Sequence, residues 1–297
     1  MATLDQSLVA HAQVQARVAP RRAFAWMRRK PLGATSMAVI VLLVLVATFA
    51  GRIAPYDPLA QEYSAILEAP SRQHPMGTDN LGRDILSRII YGARISLAVG
   101  VVAVLIGTSL GSGIGMLSGF FGGAIDLAVQ RVMDAWLAFP LIIFALAVLA
   151  ALGPGLSQTM FAVGIVSIPT TSRVIRGSVL AEKQKVYVEA ARTIGARQSR
   201  IMLQHILPNV AAPIIVLASL TLARAVLTEA TLSFLGVGVP PPSPAWGSML
   251  SGKARDYMLS APWMAIWPGI FISLTVLSWN LLGDAVRDLL DPRLRNS

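Results

Sequence analysis

Six apolar runs, each about as long as a helix must be to cross the hydrocarbon core of a bilayer, constrain this chain more than any other feature. One crossing takes about 20 predominantly apolar residues. Runs of that length fall near 32–51, 94–118, 131–152, 156–176, 210–236 and 263–284. The expected fold is an all-α membrane protein with six transmembrane helices. Composition agrees, since 55% of the 297 residues are hydrophobic and 13% charged, whereas soluble domains average about 25% charged. Basic residues precede the first run and small ones follow it, as in a secretory signal. Its apolar stretch exceeds the roughly 7–15 residues of a signal core, so a retained span is expected. The chain has no cysteine, which excludes disulfides and thiolate metal sites.

The net charge of +10 does not mark a nucleic-acid binder, because the basic residues gather at the ends of apolar runs, where they set topology. With an even number of spans both termini share a side. That side holds Arg17, Arg21, Arg22, Arg28, Arg29, Lys30, Arg131, Arg173, Arg176, Lys183, Lys185, Arg192, Arg197, Arg200, Arg287, Arg293 and Arg295. The count is 17 there against 7 on the other side, with Arg224 left inside a span. Both termini of this multi-pass membrane protein are therefore expected in the cytoplasm. Arg83, Arg88 and Arg94 run against the rule, and a short interfacial helix before the second span is expected to hold them. The resulting organisation is a basic tail over 1–31, a first span over 32–51 and an outer segment over 52–93. A five-helix core follows over 94–286, including a charged loop over 177–208, and a second tail covers 287–297. Trp246, Tyr257, Trp263 and Trp267 are expected to form an aromatic belt at the outer interface.

The second run carries Gly107, Gly111, Gly115 and Gly119, with Gly113, Gly122 and Gly123 nearby. Four-residue spacing puts the first four on nearly one helix face, where another backbone can approach closely. The ridge serves either packing within the chain or an interface with a partner subunit. Arg224 and Glu229 lie in the fifth run, where an ionisable residue costs about 2.5–3.5 kcal/mol. Five residues apart is about 140° round a helix, so they are poorly placed to pair. Arg224 shares a stripe with Thr221, Thr228 and Thr231. That stripe either lines a wetted path or is satisfied by neighbouring helices. In the outer segment, His74 through Asp84 lacks paired metal-ligand spacing and reads as a turn. Asp79, Asn80 and Gly82 favour tight backbone there, and Asp84 is suited to cap the next helix.

Between the fourth and fifth runs lies a polar, helix-forming stretch, Glu189-Ala190-Ala191-Arg192-Thr193-Ile194-Gly195, continuing to Ile206-Leu207-Pro208-Asn209. Gly195 is expected to break one helix into two short ones, and Pro208 to start the next. This pattern resembles the cytoplasmic coupling loop of ABC-importer permeases. One departure is His205 where the general form has isoleucine, with Ile206 beside it, which favours the peptide-importer branch. The stretch from His74 to Asp84 closely resembles the signature after the first span in the C-type permease of dipeptide, oligopeptide and nickel importers. Ala54-Pro55-Tyr56-Asp57-Pro58, Tyr91 through Ser96, Ser233 through Gly238, Trp246-Gly247, Asn280 through Asp284 and Asp291-Pro292-Arg293 agree similarly. The resemblance runs from about residue 25 onward.

The resemblance implies the type I importer permease fold, a related second (B-type) permease, two ATP-binding subunits, an extracytoplasmic substrate-binding protein, and lipid around the spans. Glu189, Ala190, Ala191, Gly195, Leu207 and Pro208 would form the ATPase-coupling loop, with the two alanines allowing close packing and Glu189 and the arginines contributing rim charges. Thr221, Arg224, Thr228 and Thr231 would be path residues. The chain has no Gly-x-x-x-x-Gly-Lys-Ser/Thr loop, no His-Glu-x-x-His and no Gly-x-Ser-x-Gly, so neither an ATPase site nor a hydrolase site is expected. No cofactor, metal or nucleic acid is expected. The cargo is expected to be dipeptides or oligopeptides, with nickel or glutathione as alternatives. A carrier driven by protons or sodium through Arg224 and Glu229 is the rival from another class.

Overall fold

The computed structural model describes residues 31–290, and the tails before and after lie outside them, including Arg17 to Lys30, Arg293 and Arg295. Among the described residues the chain is helical throughout its ordered elements, and no strand is present. Helix α1 (Pro31–Thr48) is followed by the short α2 (Ala50–Ile53). The outer segment then leads into α3 (Ile85–Phe121). Helices α4 (Gly123–Leu137) and α5 (Leu141–Leu152) come next, then α6 (Leu156–Lys183) and α7 (Val186–Thr193). A continuous helical run, α8 (Gln198–Phe234), follows. Two short helices, α9 (Trp246–Leu250) and α10 (Lys253–Asp256), precede α11 (Trp263–Leu290).

Four of these helices, α1, α3, α8 and α11, are long and apolar enough to cross a membrane. The expected span at 131–152 is not one helix. It is divided between α4 and α5, which meet at 91°. Pro140 supplies no N–H and disfavours helical backbone at Phe139, so the ladder stops there and restarts with the Phe144 amide donating to the Pro140 carbonyl at 3.0 Å. The expected span at 156–176 lies in α6, whose 28 residues make about 42 Å of helix. It is less apolar than the other four because Ser167, Pro169, Thr170, Thr171 and Ser172 interrupt it. Protein rather than lipid covers much of this interruption, with Pro169, Thr171 and Ser172 buried.

Helix α3 packs most extensively on α6, and the glycine ridge makes that contact possible. A methyl group built on Gly107 would sit 2.7 Å from the Gly164 carbonyl oxygen, one on Gly111 2.8 Å from that of Ile168, and one on Gly115 2.3 Å from that of Ser172. One on Gly119 would lie 3.0 Å from the Arg176 carbonyl oxygen. All four glycines therefore face α6 of the same chain. The ridge ends at Gly122 and Gly123, whose φ values of 69° and 56° lie in the left-handed region open to glycine. They stop α3 and redirect the chain into α4.

The start of α3 differs from expectation. No separate interfacial helix precedes it, and the arginines that break the charge rule are held by the fold. Asp84 caps the helix by accepting from the Ser87 amide at 2.7 Å, and its other oxygen meets His74 Nδ1 at 3.0 Å. Asp79 accepts from the amides of Leu81 and Arg83 and from Arg83 Nε. Arg88 donates to the Pro58 carbonyl, and Arg94 donates to the Ala47 and Thr48 carbonyls at the end of α1. The Arg88 and Arg94 guanidiniums thus donate to backbone carbonyls and that of Arg83 to a carboxylate, which ties all three to the fold.

Trp246 is also not a belt residue. It is fully buried and donates from Nε1 to the Ile89 carbonyl at 3.0 Å, fastening the outer loop to α3. Trp263 donates similarly to the Thr78 carbonyl, while Tyr257, Trp263 and Trp267 pack on the cluster of Ile85, Ile89, Ala254, Ala261 and Met264.

Candidate coupling loop and translocation cleft

Helix α7 ends where Gly195 adopts φ 76°. Its amide donates to the Arg192 carbonyl at 2.9 Å, and the Ala196 amide reaches back to Ala191 at 3.0 Å, closing the helix as a glycine C-cap does. The expected break at Gly195 is thus present in the backbone. So is the expected start at Pro208, since the regular α-helix begins at Leu207 with Pro208 in its first turn, where a missing N–H costs little. A π-helical stretch over Ile201–Ile206 leads into it and makes α8 one continuous helical run.

One side of α7 is anchored. Val188 and Ala191 are buried on Ile175, Val179, Ile201, Ile206 and Val210. Ala191 therefore faces its own subunit and is not free to enter a partner's groove, contrary to the sequence expectation. Glu189, Ala190 and Arg192 are exposed, and so are Val186 and Ile194, at 80% and 84%. The last two were not singled out by sequence, although apolar residues flanking a polar helix are their only signature. Leu207 is half-buried and Pro208 exposed.

A clasp joins α7 to both neighbours. The Tyr187 hydroxyl donates to Glu182, accepts from Asn209 Nδ2 at 3.2 Å and lies 3.3 Å from the His205 carbonyl oxygen. Burial and the Glu182 carboxylate push the Tyr187 hydroxyl up to about 12. Burial raises the Glu182 carboxyl, but hydrogen bonds from Lys185 and Tyr187 outweigh it and leave the group below the usual carboxylate value. The charges of the loop divide into two sets. Arg173 pairs with Asp134, Arg176 with Asp126 and Lys185 with Glu182, while Lys183 donates to the Phe120 carbonyl. Arg192, Arg197 and Arg200 are exposed and form no ion pair among the described residues.

A small cleft of about 70 Å³ lies between α6 and α8. Thr221, Arg224 and Thr228 line it from α8, and Ser167, Thr170 and Thr171 from α6. Thr231 is not among the lining residues, and its hydroxyl donates to the Leu227 carbonyl. The α6 contribution was missed by sequence, although its polar run inside an apolar span was a visible signal. Glu229 points elsewhere. It is fully buried and accepts from Ser96 Oγ at 3.1 Å and Ser233 Oγ at 2.8 Å. Arg224 and Glu229 thus share no site, and the ion-coupled rival loses its centre. No cluster able to hold a metal ion occurs among the described residues.

The fold and site define a helical membrane permease that presents an anchored loop. Residues 111–296 match the family described as "Binding-protein-dependent transport system inner membrane component", and residues 21–70 match "N-terminal TM domain of oligopeptide transport permease C". The chain belongs to the first of these families, the multi-pass inner-membrane permeases of ABC importers. It is 45% identical over 269 residues to the glutathione transport system permease protein GsiD of Escherichia coli O6:K15:H31, covering 90% of this chain and 88% of that protein. It is 43% identical over 280 residues to GsiD of Pectobacterium atrosepticum, covering 93% and 92%. Two inward-facing structures of the MetNI methionine ABC transporter share the fold at 19% identity. Their TM-scores are 0.58 (70% of this chain, 98% of that chain) and 0.53 (67% and 96%).

Proposed function

We propose that the chain is one of two related permeases enclosing the path of an importer for glutathione or short peptides of similar size. In this reading α7 and the start of α8 dock on one of two separate ATP-binding subunits at the cytoplasmic face. The observation that carries the proposal is the geometry of α7, immobilised through Val188 and Ala191 on one side and presenting Glu189, Ala190 and Arg192 on the other. A helix held this way moves as a rigid body with α6 and α8, so closure of the docked subunits would swing the cleft from one face to the other. Arg192, Arg197 and Arg200, having no ion pair among the described residues, are the rim charges that steer docking. The chain itself carries no ATPase chemistry. A substrate-binding protein delivers cargo from outside, both termini are cytoplasmic, and α6 is an interior span that completes six with the broken α4–α5 pair.

The glutathione reading is supported by the curated relatives, which are glutathione permeases at 43–45% identity. Dipeptides, longer peptides and nickel chelates are the competing cargoes. The test is uptake by the reconstituted complex with its ATP-binding subunits and binding protein. ATP-dependent accumulation of labelled glutathione is expected, with weaker competition by excess dipeptide or nickel–histidine. Uptake of nickel or dipeptide in preference to glutathione would transfer the chain to that cargo.

A further inference from the structure

Arg224 is exposed in the cleft, and its guanidinium has neither an ion pair nor a hydrogen bond among the described residues. In the regular α-helical part of α8, Leu207–Phe234, it sits 17 residues after the start and 10 before the end, so about 25 Å and 15 Å of that helix lie on either side. A cation at that depth needs water or a counter-ion. The chain supplies no carboxylate there, since Glu229 is buried on another face with Ser96 and Ser233. The other polar groups there are hydroxyls, from Thr221 and Thr228 on α8 and Ser167, Thr170 and Thr171 on α6, set among apolar side chains such as Val163 and Val166.

The cleft also continues. Leu217 and Leu220 line both it and a second groove toward the start of α8, which holds Asn209 and Arg287. Positions 209, 213, 217, 220, 224 and 228 lie three or four apart, so one face of α8 forms the wall of both grooves. That wall runs from a polar cationic section at Arg224, past two leucines, to a second polar section at Asn209 and Arg287.

We propose that Arg224 is the counter-ion for a carboxylate of the cargo in transit, so that this path selects carboxylate-bearing substrates. The proposal rests on the permease reading above and deepens it. Guanidinium and carboxylate match in a two-point hydrogen-bonded fork, and the Thr221 and Thr170 hydroxyls can donate to the same oxygens, whereas those of Thr228 and Ser167 already donate to helix carbonyls. Leu217 and Leu220 form an apolar stretch of that wall between the cationic sections, over which a bound anion is released toward Arg287. A site facing water on one side holds an anion loosely enough to let it leave, as conduction requires.

The experiment uses the assembled complex in proteoliposomes, where the absence of cysteine in this chain lets Thr228→Cys report on the cleft. Reaction with an anionic methanethiosulfonate should be at least fivefold faster than with a cationic one, after correction for their rates with a free thiol. Adding Arg224→Gln should remove that preference. In uptake of labelled glutathione, Arg224→Gln should lower the rate at least tenfold while binding-protein-stimulated ATP hydrolysis persists, and Arg224→Lys should restore part of it. Equal reagent rates at Thr228→Cys, or undiminished uptake by Arg224→Gln, would overturn the proposal. So would loss of the second permease from the Arg224→Gln complex, which would assign the counter-ion to that subunit. Failure of the native complex to couple ATP hydrolysis to any uptake would instead strike the permease reading. Failure with glutathione alone would strike the cargo, leaving the reagent rates to decide.

Discussion

Gly113 and Gly115 stand two residues apart on α3 and meet opposite fates on substitution. A Cβ on Gly113 has nothing within 4 Å, whereas one on Gly115 would lie 2.3 Å from the Ser172 carbonyl oxygen. Gly113→Ala should therefore be neutral or stabilise by up to about 1 kcal/mol through helix propensity. Gly115→Ala should cost about 1–3 kcal/mol by overpacking a backbone contact. Thermal unfolding of the detergent-solubilised complex separates them, and equal midpoints would show that the seam is loose. The Tyr187–Glu182 clasp gives a pH prediction. Glu182 is lowered in the fold, so its contribution is complete above its ordinary 4.5 and fades as acid protonates it below that value. Tyr187 is raised to about 12, so its contribution is complete below its ordinary 10.0 and fades as pH passes 12. Protease sensitivity of the α6–α7 junction should stay flat between roughly pH 5 and 10, and Tyr187→Phe should raise it throughout. The four-residue glycine spacing was legible in the sequence, but the partner helix was not, because spacing says where a backbone can approach and not which one does.

At the scale of elements, α7 is a short helix whose proposed docking depends on its end. Gly195 has open space around its Cβ position and a φ of 76°, so Gly195→Val strains the backbone by about 1–3 kcal/mol without any clash. Membrane insertion should persist, while ATP hydrolysis separates from transport; Gly195→Asn, which tolerates this conformation, should stay coupled. Crosslinking discriminates faces. A cysteine replacing Ala190 should join a cysteine on the ATP-binding subunit, and one replacing Ala191, only 6% exposed, should not. Efficient crosslinking from both would mean that α7 leaves its anchoring cluster. The sequence marked the helix and its glycine break correctly. It also placed Pro208 in the first turn of the next α-helix, as observed, but ran one span through Pro140, where the chain turns by 91°. A proline in a first turn loses no helical bond, whereas one inside a span removes a donor and breaks the ladder.

For the whole molecule, the decisive measurement is topology. Reporter fusions within Glu182–Lys185 and after Arg287 should read cytoplasm, and those near Gln61 or Pro244 should read the outer face; an outer signal at Glu182 would place α6 outside the bilayer or reverse it. The apolar runs by themselves determined a helical membrane protein, because their length and composition admit little else in lipid. Short-range patterns likewise determined the Asp84 cap and the stop at Gly195, since each rests on bonds among residues close in the chain. Only the tertiary structure decided that the glycine ridge meets α6, that Ala191 faces inward, that Trp246 is buried, and that Arg224 and Glu229 stand apart. It also decided that Arg83, Arg88 and Arg94 are held by Asp79 and by carbonyls of Pro58, Ala47 and Thr48. Those outcomes depend on which helices lie side by side, and a helix pattern fixes a face without fixing what that face meets.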